Sequence, residues 1–183
     1  MKKIALLLLT FTFASCATIA RHEASADVLA LVNALRDRNL YEIEARIDKN
    51  SLKYQALNIA REILIEEASQ RIGHGLGGQI AAVAAVDLLN PVIESLAERV
   101  VEPDAIAFFA RQAGLQQQTA MPSRMETTIA IRPIDNNRVC IPNPQNNRCV
   151  LYFNKFPDRW KLVAIDEAEL RAKIRALSRP NIR

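Results

Sequence analysis

From Ser25 onward, apolar residues recur at helical spacing. Val28, Leu31, Val32 and Leu35 fall at i, i+3, i+4 and i+7, a stripe that one face of an α-helix buries. Ser25 or Asp27 can cap such a helix, because a short polar side chain accepts from the free N–H groups of the first turn. A short second helix follows, with Leu40, Ile43 and Ile47 on one side. Asp48-Lys49-Asn50-Ser51 interrupts the pattern, and Ser51 is placed to cap a longer helix striped by Leu52, Ala56, Ile59, Ala60, Ile63 and Leu64. The opposite face of that helix carries Arg61, Glu62, Glu66, Glu67 and Arg71. Ile80 to Leu89 reads as a small-residue apolar helix bearing Asp87. Asn90-Pro91 then restarts the chain as a cap followed by proline at a first helical position that needs no N–H, and Glu102-Pro103 repeats the device. The last of these helices presents Ile106, Phe109 and Ala110 before Gly114 ends it.

Leu115 to Ser123 breaks the periodicity, and beyond it the period changes from helical to alternating. Thr127, Ile129 and Ile131 alternate with Thr128, Ala130 and Arg132, which predicts a strand that Pro133 ends. Val139 to Ile141 and Cys149 to Phe153 predict a hairpin around a Pro/Asn-rich turn, and Trp160 to Ile165 a last strand. Asp166-Glu167-Ala168-Glu169 resembles a capping box ahead of a terminal helix with Leu170, Ile174 and Leu177 on one side. The expected fold is therefore α+β, a helical layer packed on a small antiparallel sheet with a C-terminal helix. The expected single domain runs from 25 to 178: helices over 25–114, a linker over 115–124, the sheet over 125–165, the final helix over 166–178, and a basic tail at 179–183.

Composition supports one folded unit. The chain has 183 residues, half of them apolar and 24% charged, which excludes collagen-like, disordered and multi-spanning classes. The formal charge is +4, and Lys2 and Lys3 supply two of those charges, so the remainder is too nearly balanced to argue for nucleic acid. Its distribution is uneven: residues 16–122 hold 10 basic and 14 acidic side chains, whereas 123–183 hold 12 and 6.

The N-terminus carries an address. Met1-Lys2-Lys3 precedes an apolar run from Ile4 to Phe13, which as a helix spans about 15 Å, roughly half a bilayer core. Residues 1–15 read as a signal peptide. Phe13-Ala14-Ser15-Cys16 resembles the lipobox of bacterial lipoproteins, apart from Phe13 where leucine is usual. That resemblance implies removal of 1–15, lipidation of Cys16, and a tether over 16–24. The alternative is ordinary cleavage after Ala14 or Ala20, giving a soluble periplasmic protein. Ala17 follows the Cys where aspartate favours the inner membrane, which leans the expectation toward the outer membrane.

Cys140 and Cys149 remain. They flank the predicted hairpin turn and suit a disulfide in an oxidising compartment, whereas a redox pair or zinc set lacks its C-x-x-C spacing and its histidines. Gly73-His74-Gly75-Leu76-Gly77-Gly78 satisfies G-x-G-x-x-G literally, but a helix rather than a strand precedes it, so a helix stop and connection is the expectation. His74 has no second ligand in sequence, and Asp87 on its apolar helix is either a functional carboxylate or the partner of a C-terminal arginine. No catalytic constellation, metal set or cofactor motif is present in the sequence. Arg171, Lys173, Arg175 and Arg179 make the terminal helix basic, either as a contact for a partner or anionic lipid, or as cations placed near a helix C-terminus.

Three local patterns resemble the bacterial domain-of-unknown-function family 2939 of small envelope proteins. They are Ile43-Glu44-Ala45-Arg46-Ile47-Asp48 with Leu52, Pro91-Val92-Ile93 leading to Val101-Glu102-Pro103-Asp104-Ala105-Ile106, and Trp160-Lys161-Leu162-Val163-Ala164-Ile165. The resemblance covers roughly 26–166 and implies no assigned reaction. The function expected is thus a non-catalytic envelope lipoprotein. It would be anchored on the periplasmic side through Cys16 and serve as an interaction or structural module for an unidentified envelope protein partner. The alternative is a protein that binds an apolar small ligand or lipid between its helices and sheet.

Overall fold

The computed structural model describes residues 2–72, 88–115 and 123–178, with side chains placed over 18–70, 88–115 and 123–178. Helix α1 spans Lys2–Asp37 without interruption. Residues 16–24, expected as a tether, are helical, because Ala17, Ala20 and Ala24 favour helix and neither glycine nor proline breaks the stretch. Ala20 and Ala24 are already buried at 3% and 0% exposure, so the packed domain begins closer to Cys16 than the apolar stripe indicated. Ser25 and Asp27 accordingly cap nothing. The Ser25 hydroxyl donates to the His22 carbonyl at 2.7 Å, and the Asp27 carboxylate accepts from the Trp160 backbone N–H at 2.9 Å.

Helix α2, Leu40–Arg46, is capped by the Asn39 side chain and buries Ile43 while Leu40 stays exposed. Helix α3 runs Lys49–Ile72. Its start is capped by Asp48 rather than Ser51: the Asp48 carboxylate accepts from the Ser51 N–H at 3.1 Å and from the Ser51 hydroxyl at 2.8 Å. Helix α4, Asn90–Val100, likewise takes Asn90 into its first turn instead of using it as the cap, and the Asn90 side chain accepts from Arg61 at 3.1 Å. Helix α5, Pro103–Gln112, follows with proline in its first turn. Gly114 at φ +72° turns the chain away, and a Cβ there would press on the Pro144 ring, 3.2 Å off.

The predicted strand over 127–132 is instead helix α6, Arg124–Ala130. Ser123 and Glu126 form a reciprocal capping box at its start, and the hydroxyls of Thr127 and Thr128 bond back to the carbonyls four residues earlier. Thr127 and Ile131, four apart, are the buried pair, while Ile129, which alternation would have turned the same way, is 69% exposed. Only β1, Arg132–Pro133, remains extended.

Strands β2 (Arg138–Pro142), β3 (Cys149–Lys155) and β4 (Trp160–Ile165) complete an antiparallel sheet in the order β1-β2-β3-β4. Helices α1 and α3 pack on it, and α7, Glu167–Ser178, folds back against α3 and α4. Asp166 caps α7 as expected, accepting from the Ala168 and Glu169 N–H groups. The outer edge of β4 is closed off by three devices. Asp27 takes the Trp160 N–H, Asp48 donates its own N–H to the Leu162 carbonyl, and the Gln55 amide pairs both polar groups of Ile165. A strand edge so occupied offers no ladder to another chain. The fold is α+β, a helical layer on a four-stranded antiparallel sheet with a C-terminal helix.

Candidate functional site

The described residues singled out in the sequence fall into three places, and the structure adds a fourth. The first lies within α1, where Cys16 is in helical backbone one turn before Ala20 enters the core. The second is the far end of the β2–β3 hairpin, where Cys140 and Cys149 form a disulfide with Cα atoms 5.6 Å apart, both sulfurs buried. Register explains the pairing: a bulge between Ile141 and Pro142 shifts the ladder so that Cys149 sits opposite Pro142, within reach of Cys140. The turn beyond is held by its own asparagines. Asn143 and Asn146 side chains accept from Gln145 and Arg148 N–H groups, and Arg132 reaches across to donate to the Asn147 carbonyl and to Cys149 Sγ.

The third place is the basic helix α7. Arg171 binds Glu62 of α3 and Glu167 of its own helix, and Arg175 binds Glu66 at 2.9 Å. The Glu167 hydrogen bond, with that of Glu62, raises the Arg171 guanidinium pKa above its usual range. Lys173 lies 4.3 Å from the centroid of the Phe108 ring. These cations are engaged inside the molecule, clamping α7 onto α3, so the acidic stripe of α3 serves as their counter-surface. His74, Asp87 and Arg179, with the rest of 73–87, the linker residues 116–122 and the tail 179–183, lie outside the described residues.

The fourth place was not anticipated. Where β2 begins and β3 ends, Arg138, Asn154 and Lys161 stand opposite one another in register across three strands. Arg138 lies 5.2 Å from the Tyr152 ring centroid, and Lys161 5.1 Å from that of Phe156. Neither makes an ion pair among the described residues. Lys155 in the next row pairs with Glu23 of α1 at 2.6 Å. The sequence held one sign of this, the basic excess after residue 122, but that excess belongs to the sheet as much as to α7.

The helix–sheet interface, where a ligand was expected as the alternative, is occupied by Val28, Ile59, Phe153, Trp160, Leu162 and Ile165, each under 5% exposed and in one core cluster. Clefts among the described residues lie elsewhere, between helices. One of about 170 Å³ is lined by Leu40, Ile43 and Ile47 against Val101 and Pro103, and one of about 260 Å³ is a polar groove beside Arg175. Both fall below the roughly 300 Å³ at which small-molecule sites begin. Among the described residues no group of three or more His, Cys, Asp or Glu is placed to hold a metal, and no helix is long and apolar enough to cross a membrane. No family model, curated protein or solved structure matches the chain.

Proposed function

We propose that this protein is a lipid-anchored module of the bacterial cell envelope that works by contact with an envelope partner rather than by catalysis. The observation that carries the reading is the joint between address and fold. The basic start, the apolar run and Phe13-Ala14-Ser15-Cys16 end where α1 enters the core, with Ala20 and Ala24 buried. Cleavage before Cys16 would leave a mature N-terminus one helical turn from packed structure, its acyl chains each contributing about 0.8 kcal/mol per buried methylene. Cleavage after Ala20, one of the two competing sites with Ala14, would cut a residue that the core covers. The Cys140–Cys149 disulfide is in keeping with an oxidising compartment such as the periplasm.

The test is fractionation of bacteria expressing the full chain, fed labelled palmitate. Wild type is expected in the membrane fraction with label, and Cys16→Ser without label and without membrane retention. Equal distribution of the two would sink the anchor.

A further inference from the structure

The anchored reading leaves open how the domain meets the bilayer, and the structure holds an asymmetry that bears on it. Helix α1 touches the sheet first at its Arg138/Lys155 end: Glu23 pairs with Lys155, and one turn later Asp27 takes the N–H of Trp160, Lys155's cross-strand neighbour. Cys16 precedes Glu23 by two turns of the same helix, about 10 Å along its axis. An anchor at Cys16 therefore brings this end of the sheet closest to the membrane and holds it there, since no flexible stretch intervenes.

That end has the chemistry of an interfacial surface. Arg138, Lys155, Arg159 and Lys161 stand there against Glu23, Asp135 and Asp158, an excess of one positive charge. Glu23 and Asp158 are engaged by Lys155 and Arg159, and Asp135 accepts from the Asn137 N–H. The cations outside those pairs are Arg138, its guanidinium over the Tyr152 ring, and Lys161, its ammonium over the Phe156 ring and within the field of Asp158. Ile19 on α1 and Ile134 beside Arg138 are 56% and 48% exposed. Exposed isoleucines beside cations held over aromatic rings are what an anionic headgroup layer accommodates, with apolar tips entering the interface and cations staying at the phosphates.

We propose that the sheet end formed by Ile134, Arg138, the Phe156–Arg159 turn and Lys161 seats on anionic phospholipid headgroups. This rests on the anchored reading, and α7, whose described cations face α3 and Phe108, is turned to other uses. Each such cation is worth about five-fold in affinity for an anionic surface, and the attraction falls off within a Debye length.

The test uses the lipidated full chain in vesicles of phosphatidylcholine, with or without one-third phosphatidylglycerol, with amide hydrogen exchange followed over 134–138 and 156–161. The expected result is at least five-fold slower exchange there on the anionic vesicles, lost in about 0.5 M salt and lost in an Arg138→Gln/Lys161→Gln variant. Arg138→Glu/Lys161→Glu serves as a second variant, with exchange in α3 as the control for folding. Intact mass of the same sample reports the anchor separately. Lipid present with exchange equal on the two vesicles overturns the seat and leaves the anchor standing. Lipid absent removes the anchor, and the seat with it.

Discussion

Two surfaces of this molecule are basic, and they spend their charge differently. On α7, Arg171 and Arg175 each meet glutamates of α3, and Lys173 covers Phe108, so the charge holds a helix in place. At the sheet end, the Arg138 guanidinium and the Lys161 ammonium lie over rings and make no close ion pair among the described residues, Lys161 acting on Asp158 only at longer range. The comparison shows that a run of cations in sequence says little about binding until the opposing surface is known. The more conspicuous cluster is the one already neutralised.

Removing what both surfaces rest on has the largest expected effect. Trp160, 2% exposed, starts β4 and underlies the sheet end, so Trp160→Ala should cost about 3–5 kcal/mol in denaturant unfolding. A loss under about 1 kcal/mol would mean that the sheet end is not built on the core as described. Next is the disulfide, which closes a loop of about ten residues away from both basic surfaces. Replacing Cys140 and Cys149 by serine should lower stability by about 2.5–3 kcal/mol on the chain-entropy estimate, and leave headgroup-dependent exchange at 134–138 unchanged.

The comparison itself is sharpened by a smaller pair of effects. Arg171→Ala should reduce stability by about 1 kcal/mol or less, since its partners are solvated, with no change on anionic vesicles. Arg138→Gln/Lys161→Gln should do the reverse, holding stability within about 0.5 kcal/mol. Both variants losing stability alike would erase the distinction.

The smallest effect lies at α6. The Ser123 backbone N–H, and then its hydroxyl, hold the Glu126 carboxyl below its ordinary value of 4.5. A depressed carboxyl contributes stability above the unfolded-state value and loses it as pH falls through the folded one. Glu126→Gln should therefore lower neutral stability slightly, flatten a shallow part of the acid unfolding curve below pH 4.5, and leave stability at the acid end unchanged.

How much of this was legible in sequence differs by element. Helical stripes such as Val28–Leu35 and the Gly114 stop read through, because their apolar period and punctuation agree. The hairpin did as well, its two β-type runs bracketing a turn rich in proline and asparagine. Residues 124–130 did not, because Thr127, Ile129 and Ile131 alternate like a strand while the local capping box at Ser123 and Glu126 favours a helix. The caps at Asn90 and Ser51 were misplaced by a few residues, since a side chain's partner decides the cap and Arg61 and Asp48 were the partners. The site divides in the same way. Cys16, Cys140 and Cys149 are marked by residue type and spacing, whereas the Arg138–Asn154–Lys161 row exists only through strand register between positions far apart in the chain.

The measurement that tests the account most directly is the intact mass of the full-length protein purified from bacterial membranes, recorded under non-denaturing conditions and again after reduction. The account predicts a chain beginning at Cys16, heavier by acyl lipid, gaining the mass of a pair of hydrogens on reduction, and carrying no retained apolar ligand. An unlipidated chain beginning after Ala14 or Ala20 would contradict it, and a stoichiometric apolar ligand on a lipidated chain would contradict the contact role in favour of carriage.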